Sequence, residues 1–224
     1  MAARKRSTHA TTKHVPPRPG PTPRGVEREA GDLGLRHRRG VVGSAVAFEL
    51  EPLAYLRALV RDVPDFPRPG IRFKDITPLV GDVRGLQIAI DALAERLLGH
   101  GLDAVVAIES RGFIFGGALA ARLNARFVPV RKAGKLPYLT DRISYALEYG
   151  SAELEVHRDA LRAGMHVVVV DDLLATGGTA EAAAALAVRQ GASVVAHAFV
   201  IELGFLGGRA RLAPTPVVSL LRYD

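Results

Sequence analysis

From about residue 48 onward the spacing of apolar positions changes repeatedly, and each change predicts an element. AFELEPLAYLRALVRDV (47–63) spaces its apolar residues as a helix does, and VPDFPRPG (63–70) breaks the pattern with three prolines. DVRGLQIAIDALAERLLGHG (82–101) predicts a second amphipathic helix closing at glycine. DAVVAIE (103–109) predicts a buried strand, SRGFIFGGALAARLNA (110–125) a loop entering a helix, and RFVPV (126–130) another strand. RKAGKLPYLTDR reads as a polar loop, and ISYALEYG with SAELEVH (143–157) alternates as a hairpin does. VVVVDD (167–172) predicts a strand ending at the acids, TAEAAAALAVRQGA (179–192) a helix, and SVVAHAFVIEL (193–203) and PVVSLL (216–221) two further strands. Short β-branched runs alternating with helices predict an α/β fold. Its sheet is mostly parallel and twisted, with helices on both faces, and the hairpin forms a small hood beside it.

Charge divides the chain in two. The net charge is +7, and residues 1–40 account for all of it, with ten Lys or Arg against three Asp or Glu. The remainder is neutral, so the basicity belongs to a tail and nucleic acid is not the expected partner of the folded part. That tail, residues 1–47, contains VPPRPGPTPRG and RHRRG without hydrophobic period, and such a segment is expected to be disordered. A nucleic-acid-binding arm and a transit peptide are lesser readings of it, and a natural start near Val41 or Val42 is a further expectation. Residues 48–224 are expected to form the one folded domain. The chain has no cysteine, which excludes disulfides, thiolate metal sites and cysteine nucleophiles. No apolar run approaches the ~20 residues of a membrane span, and a cytoplasmic protein is expected.

In parallel sheets ligands sit outside the carboxyl ends of the strands. Two predicted strand ends carry both acid and glycine, AIESRGF and VVDDLLATGGT. In the second, unbonded amides at a helix start, backed by the positive end of the helix dipole, form an anion site. Gly177 and Gly178 let backbone approach a phosphate, Thr176 and Thr179 add hydroxyl donors, and each charge-assisted bond is worth roughly 1.5–3 kcal/mol. Asp171 and Asp172 would repel a phosphate unless they face donors of their own. Vicinal ribose hydroxyls are such donors, so the segment reads as a ribose 5-phosphate grip. The residues alone also fit solvated loop acids or a Mg2+ site.

The stretch VVVVDDLLATGGTA is similar to the phosphoribosyl diphosphate signature of the type I phosphoribosyltransferases. PDFPRPGIRFKDITPL, AIESRGFIFGGALA, VPVRKAGKLP, SYALEYGSAELEVHRDAL and VVSLLRYD resemble the adenine phosphoribosyltransferases more narrowly. The resemblance covers about residues 50–224. It implies the reaction of adenine with 5-phosphoribosyl 1-diphosphate to AMP and diphosphate, Mg2+ carried on the diphosphate and ribose oxygens with no direct protein ligand, and a homodimer. It also implies roles. Asp171 and Asp172 take the ribose hydroxyls, and Ala175, Thr176, Gly177, Gly178 and Thr179 take the 5′-phosphate. Ser110, Arg111 and Gly112 take the diphosphate, joined by Arg131, Lys132 and Lys135. Glu148 on a mobile hood exchanges a proton with the purine, and Tyr149 packs beside it. The backbone of Arg72, Phe73 and Lys74 reads the adenine edge, with Phe73 and Leu203 sandwiching the ring. Lys74 stands where many family members carry arginine.

Without the resemblance, each of these residues has a plainer reading. Arg111 is a surface arginine, 131–135 a solvated basic loop, Glu148 an exposed hairpin acid and Phe73 core. Two other functions suit the same fold: a transferase for a 6-oxopurine, and a non-enzymatic regulator that binds purines or phosphoribosyl diphosphate. His100, His157, His166 and His197 lack ligand spacing.

Overall fold

In the computed structural model, which describes residues 51–146 and 151–224, the helix expected across 47–63 is short. Helix α1 (Pro52–Ala58) has proline in its first turn, and the chain then turns into a strand, β1 (Arg61–Val63). That strand pairs antiparallel with β2 (Phe73–Asp75), setting Arg61 opposite Asp75 and Asp62 opposite Lys74. Both pairs form salt bridges, and opposite charges facing across a ladder favour this register. The partner strand lies beyond the prolines, so a local apolar period cannot reveal the pairing.

Next come α2 (Thr77–Gly81) and α3 (Val83–Leu97). Asp82 starts α3 by accepting from the Gly85 amide at 2.6 Å, which satisfies one of the helix's unbonded donors. The buried face of α3 is Ala89, Ile90, Leu93, Ala94 and Leu97, three and four residues apart. The alternation then runs β3 (Ala104–Ile108), α4 (Gly112–Leu123), β4 (Arg126–Lys132), β5 (Thr140–Ala146), β6 (Ser151–His157), β7 (His166–Leu174), α5 (Gly178–Arg189) and β8 (Ser193–Leu203). A 3-10 turn (Gly204–Leu206) and a one-turn helix, α6 (Gly208–Arg211), lead to β9 (Val217–Tyr223). Asn124 closes α4 in the left-handed conformation, φ 52°.

Seven strands form one sheet in the order β5-β6-β4-β3-β7-β8-β9. The strands from β4 to β9 run parallel, and β6 joins antiparallel to β4 through Arg131–Glu155 and Lys132–Leu154. The hairpin is therefore a continuation of the main sheet, and the expected loop is trimmed to residues 133–139. Successive strand residues point to opposite faces. Val105, Val168, Val170 and Ala198 pack with Leu93, Leu97, Phe115 and Leu119 of α3 and α4. Val106, Ile108, Val167 and Val169 pack with Ala183 and Leu186 of α5. Burial on both faces explains why these strands are unbroken apolar runs. From β3 the chain winds outward to β4, and from β7 outward to β8 and β9. The adjacent pair β3–β7 is thus the switch point of the sheet, where a crevice opens at the carboxyl ends.

His197 on β8 is buried in this core, stacked on Phe199 at 6.5 Å, and its Nδ1 has no hydrogen-bond partner among the described residues. Burial pushes its pKa down from 6.5 to about 4. The unfolded chain takes up this proton below pH 6.5 while the folded chain refuses it until about pH 4. The folded state accordingly loses up to about 3 kcal/mol across that window. We expect His197→Leu to flatten the pH 4–6.5 stability curve relative to the parent, as read by denaturant unfolding at several pH values. Parallel curves for the two proteins would refute the assignment.

Candidate active site at the sheet switch point

The acid pair lies within β7 and not after it, because the strand continues to Leu174. Asp172 is buried, 4% exposed, and Asp171 is half-buried. The Asp172 amide donates to Asp171 Oδ1 at 2.9 Å. Arg111 Nε approaches Asp172 Oδ2 to 2.8 Å, yet that oxygen accepts no hydrogen bond of good geometry among the described residues. Burial, and after it the neighbouring charge of Asp172, pushes the Asp171 carboxyl well above the ordinary 3.8. Burial also raises Asp172, with Arg111 pulling it back. Asp172 Oδ2 is thus a buried acceptor short of a donor, beside a half-buried Asp171.

Arg111 reaches this position because α4 begins directly against β7. A Cβ on Gly112 would lie 2.8 Å from Asp171 Oδ1 and 3.0 Å from the Val170 carbonyl oxygen. Only glycine permits that approach. Ile108, Glu109, Ser110, Arg111, Lys132, Tyr145, Leu154, Asp171, Asp172 and Thr179 line a cleft of about 500 Å³. A smaller cavity of about 80 Å³ adjoins it through Asp171 and Thr179 and is lined by residues 173–180 and Phe199. Around that cavity the amides of Thr176, Gly177, Gly178 and Thr179 donate to no backbone carbonyl among the described residues. Gly177, at φ 82°, stands at the N-terminal cap of α5. Free amides, a twelve-residue helix behind them and two threonine hydroxyls make an anion seat.

The expected cations of the 131–135 loop do not act alike. Lys132 lines the cleft. Arg131 is turned to Glu109, Nε to Oε2 at 2.6 Å, and donates to the Lys135 carbonyl at 3.0 Å. Lys135 is exposed and does not line the cleft. The loop is held by Glu155, which is fully buried and accepts from the Lys135 and Leu136 amides at 2.8 Å each, with Thr140 and Arg142 beside them. Burial opposes its charge, but the amides of Leu136, Gly134 and Lys135 outweigh it and hold the carboxyl below its usual value. Glu155 carries no sequence signal, because its partners, the Lys135 and Leu136 amides and the Thr140 and Arg142 side chains, come to it only through folding. Glu109 has one: it is the acid of a strand end that also carries glycine.

Of the residues expected around the base, Phe73 lies edge-on to Phe66 at 5.2 Å, and the Arg111 guanidinium sits 5.4 Å over its ring. Lys74 pairs with Asp62 and stands 4.0 Å over the Tyr223 ring. Tyr223 is the β9 partner of Leu203, so β2 lies beside the ends of β8 and β9. Arg72 is exposed, and Leu203 packs against the core on the α3–α4 face. Glu148 and Tyr149 lie outside the described residues.

A sheet with this switch point, bearing a paired acid and an anion turn on one strand end, defines the type I phosphoribosyltransferase class. The phosphoribosyl transferase domain family matches residues 80–213. The adenine phosphoribosyltransferase of Sorangium cellulosum is 62% identical over 176 residues, covering 76% of this chain and 88% of its own. The crystal structure of adenine phosphoribosyltransferase from Rhodothermus marinus superposes with a TM-score of 0.73 at 53% identity, over 77% of this chain and 98% of that one. The Saccharomyces cerevisiae enzyme, solved with adenine and D-2,5-dideoxy-2,5-imino-altritol 1,6-bisphosphate, superposes at 0.72 with 42% identity, over 76% and 98%. This chain belongs to the adenine phosphoribosyltransferase family.

Proposed function

We propose that the protein transfers the phosphoribosyl group of 5-phosphoribosyl 1-diphosphate to N9 of adenine, producing AMP and diphosphate in purine salvage. The observation that carries this reading is the pair of adjoining cavities sharing Asp171 and Thr179. One offers a buried acceptor, Asp172 Oδ2, in need of a donor such as a ribose hydroxyl, and the other offers unbonded amides, as a 5′-phosphate requires. The C1′–oxygen bond breaks with its electron pair leaving on diphosphate, the N9 lone pair forms the new bond, and the N9 proton passes to Glu148. Lys132 and the Ser110–Gly112 turn face the departing diphosphate across the cleft. Arg111 touches both Asp172 and the Phe73 ring, linking the sugar and base ends.

The backbone of Arg72, Phe73 and Lys74 presents a carbonyl to the 6-amino group and an amide to N1, with Phe73 and Leu203 enclosing the ring. A carbonyl facing a 6-oxopurine would oppose two acceptors, which rejects that base. No group of three or more metal-ligating side chains occurs among the described residues. Mg2+ arriving with 5-phosphoribosyl 1-diphosphate would be carried on substrate oxygens and water, and would supply neutralisation of the diphosphate charge. Phe127 and Tyr138 are exposed aromatic rings, set edge-on to Phe113 and His157 respectively, and their burial would favour a homodimer. No described helix is long and apolar enough to cross a membrane.

The test is product formation from radiolabelled adenine, hypoxanthine and guanine with 5-phosphoribosyl 1-diphosphate and Mg2+. Labelled AMP from adenine alone is expected. Product only from a 6-oxopurine would overturn the base assignment, and none from any base would favour a binding protein.

A further inference from the structure

Behind the anion turn lies a segment with no role in the transfer itself. A Cβ on Gly208 would lie 2.2 Å from the Ala175 carbonyl oxygen and 3.1 Å from the Gly177 amide nitrogen. A Cβ on Gly177 would lie 2.9 Å from the Gly208 carbonyl oxygen. The turn 175–177 and the start of α6 therefore touch backbone to backbone, and the position of α6 sets the position of the turn.

A one-turn helix cannot hold its own place. What holds α6 is Glu202 on β8, 2% exposed and directly opposite Leu174, the last residue before the turn. Arg209 grips Glu202 with two nitrogens, Nε at 2.9 Å and Nη2 closer, and also donates to the Val217 carbonyl at 2.7 Å. Ser219 Oγ donates to the same carboxylate at 2.6 Å. On the other flank of α6, Arg211 pairs with Glu181 of α5 at 2.7 Å. Glu202 and Arg209 touch neither cavity. A planar fork on a buried carboxylate fixes both distance and orientation.

We infer that Glu202 and Arg209 are positioning residues for the 5′-phosphate end of the substrate, acting through Gly208 on the 175–177 turn. The inference rests on the ribose 5-phosphate reading of that turn. With the pair weakened, α6 shifts and the amides lose their aim at the phosphate, while the acid pair and the base site stay in place.

The experiment compares the parent with Glu202→Gln, an isosteric change, and with Arg209→Lys, which keeps the charge but loses the fork. Affinities for AMP and for adenosine are measured by calorimetry, with steady-state constants for both substrates. In both variants AMP affinity should fall ~10-fold and KM for 5-phosphoribosyl 1-diphosphate should rise by a similar factor, as displaced binding groups do. Adenosine affinity and KM for adenine should stay at the parent values, and Glu202→Gln should lose more than Arg209→Lys. A pair that only stabilises the fold would lower the melting temperature and leave the AMP-to-adenosine ratio unchanged, which overturns the inference. If Glu202→Gln does not fold, Arg209→Lys decides by the same ratio. A parent protein that binds AMP no better than adenosine would instead refute the 5′-phosphate reading itself.

Discussion

Glu148→Gln is expected to lower turnover with adenine by about 10²–10⁴-fold, the usual worth of a positioned general acid–base group. The amide keeps the size of the side chain and removes its capacity to take the N9 proton. Affinity for 5-phosphoribosyl 1-diphosphate should remain close to the parent's, because the grip proposed for that substrate consists of the acid pair, the anion turn and the cleft cations. In the sequence Glu148 falls between β5 and β6, and β6 pairs with β4 at Lys132. Rapid-quench kinetics with calorimetric binding separates the two quantities. Turnover near that of the parent would remove Glu148 from the role, and a parallel collapse of diphosphate affinity would recast it as a binding residue.

Asp171→Asn/Asp172→Asn should combine a large loss of function with no loss of stability. Each charge-assisted hydrogen bond to a ribose hydroxyl is worth roughly 1.5–3 kcal/mol, so the double variant should lose about 10²–10⁴-fold in kcat/KM. Stability should move the other way. Both carboxyls titrate above their ordinary value, Asp171 far above, chiefly through burial. A group whose folded pKa is raised contributes stability at low pH and forfeits it as pH rises through that pKa. At neutral pH the parent bears the cost of ionising the pair, and the amides do not. Arg111, with 44% of its side chain exposed, can turn to water when its partner is neutralised. Thermal unfolding at pH 7 should place the variant at or above the parent, with the difference shrinking toward pH 4. A variant that is both inactive and markedly less stable would show the acids to be structural.

The parts legible in the sequence were those whose signal is local. The four valines of β7 and the alanines of α5 reported their elements because burial on both faces demands unbroken apolar residues, and helix propensity is carried residue by residue. The acid pair and glycine turn were readable because strand, acids, free amides and helix start follow one another within fifteen residues. Motif resemblance supplied expected roles for Glu148, Phe73 and the loop cations, and of those cations Lys132 lines the cleft while Arg131 pairs with Glu109.

What stayed hidden was set by partners far along the chain. Arg61–Val63 became a strand because the complementary charges of Lys74 and Asp75 face it from beyond the prolines. The acids proved to lie inside β7 because β8 continues to pair beyond them, to Leu174 and Glu202. Arg131 was committed to Glu109, leaving Lys132 as the cation of that loop that lines the cleft. Glu155 and Glu202 gained their importance from amides and guanidinium groups that only folding brings near. The sequence by itself determined which chemical groups this protein owns and the order in which the chain presents them, since period, charge and turn chemistry act over a few residues. Tertiary structure alone decided which of those groups share a cleft, which are already paired and which remain free, because desolvation and hydrogen bonding depend on neighbours in space.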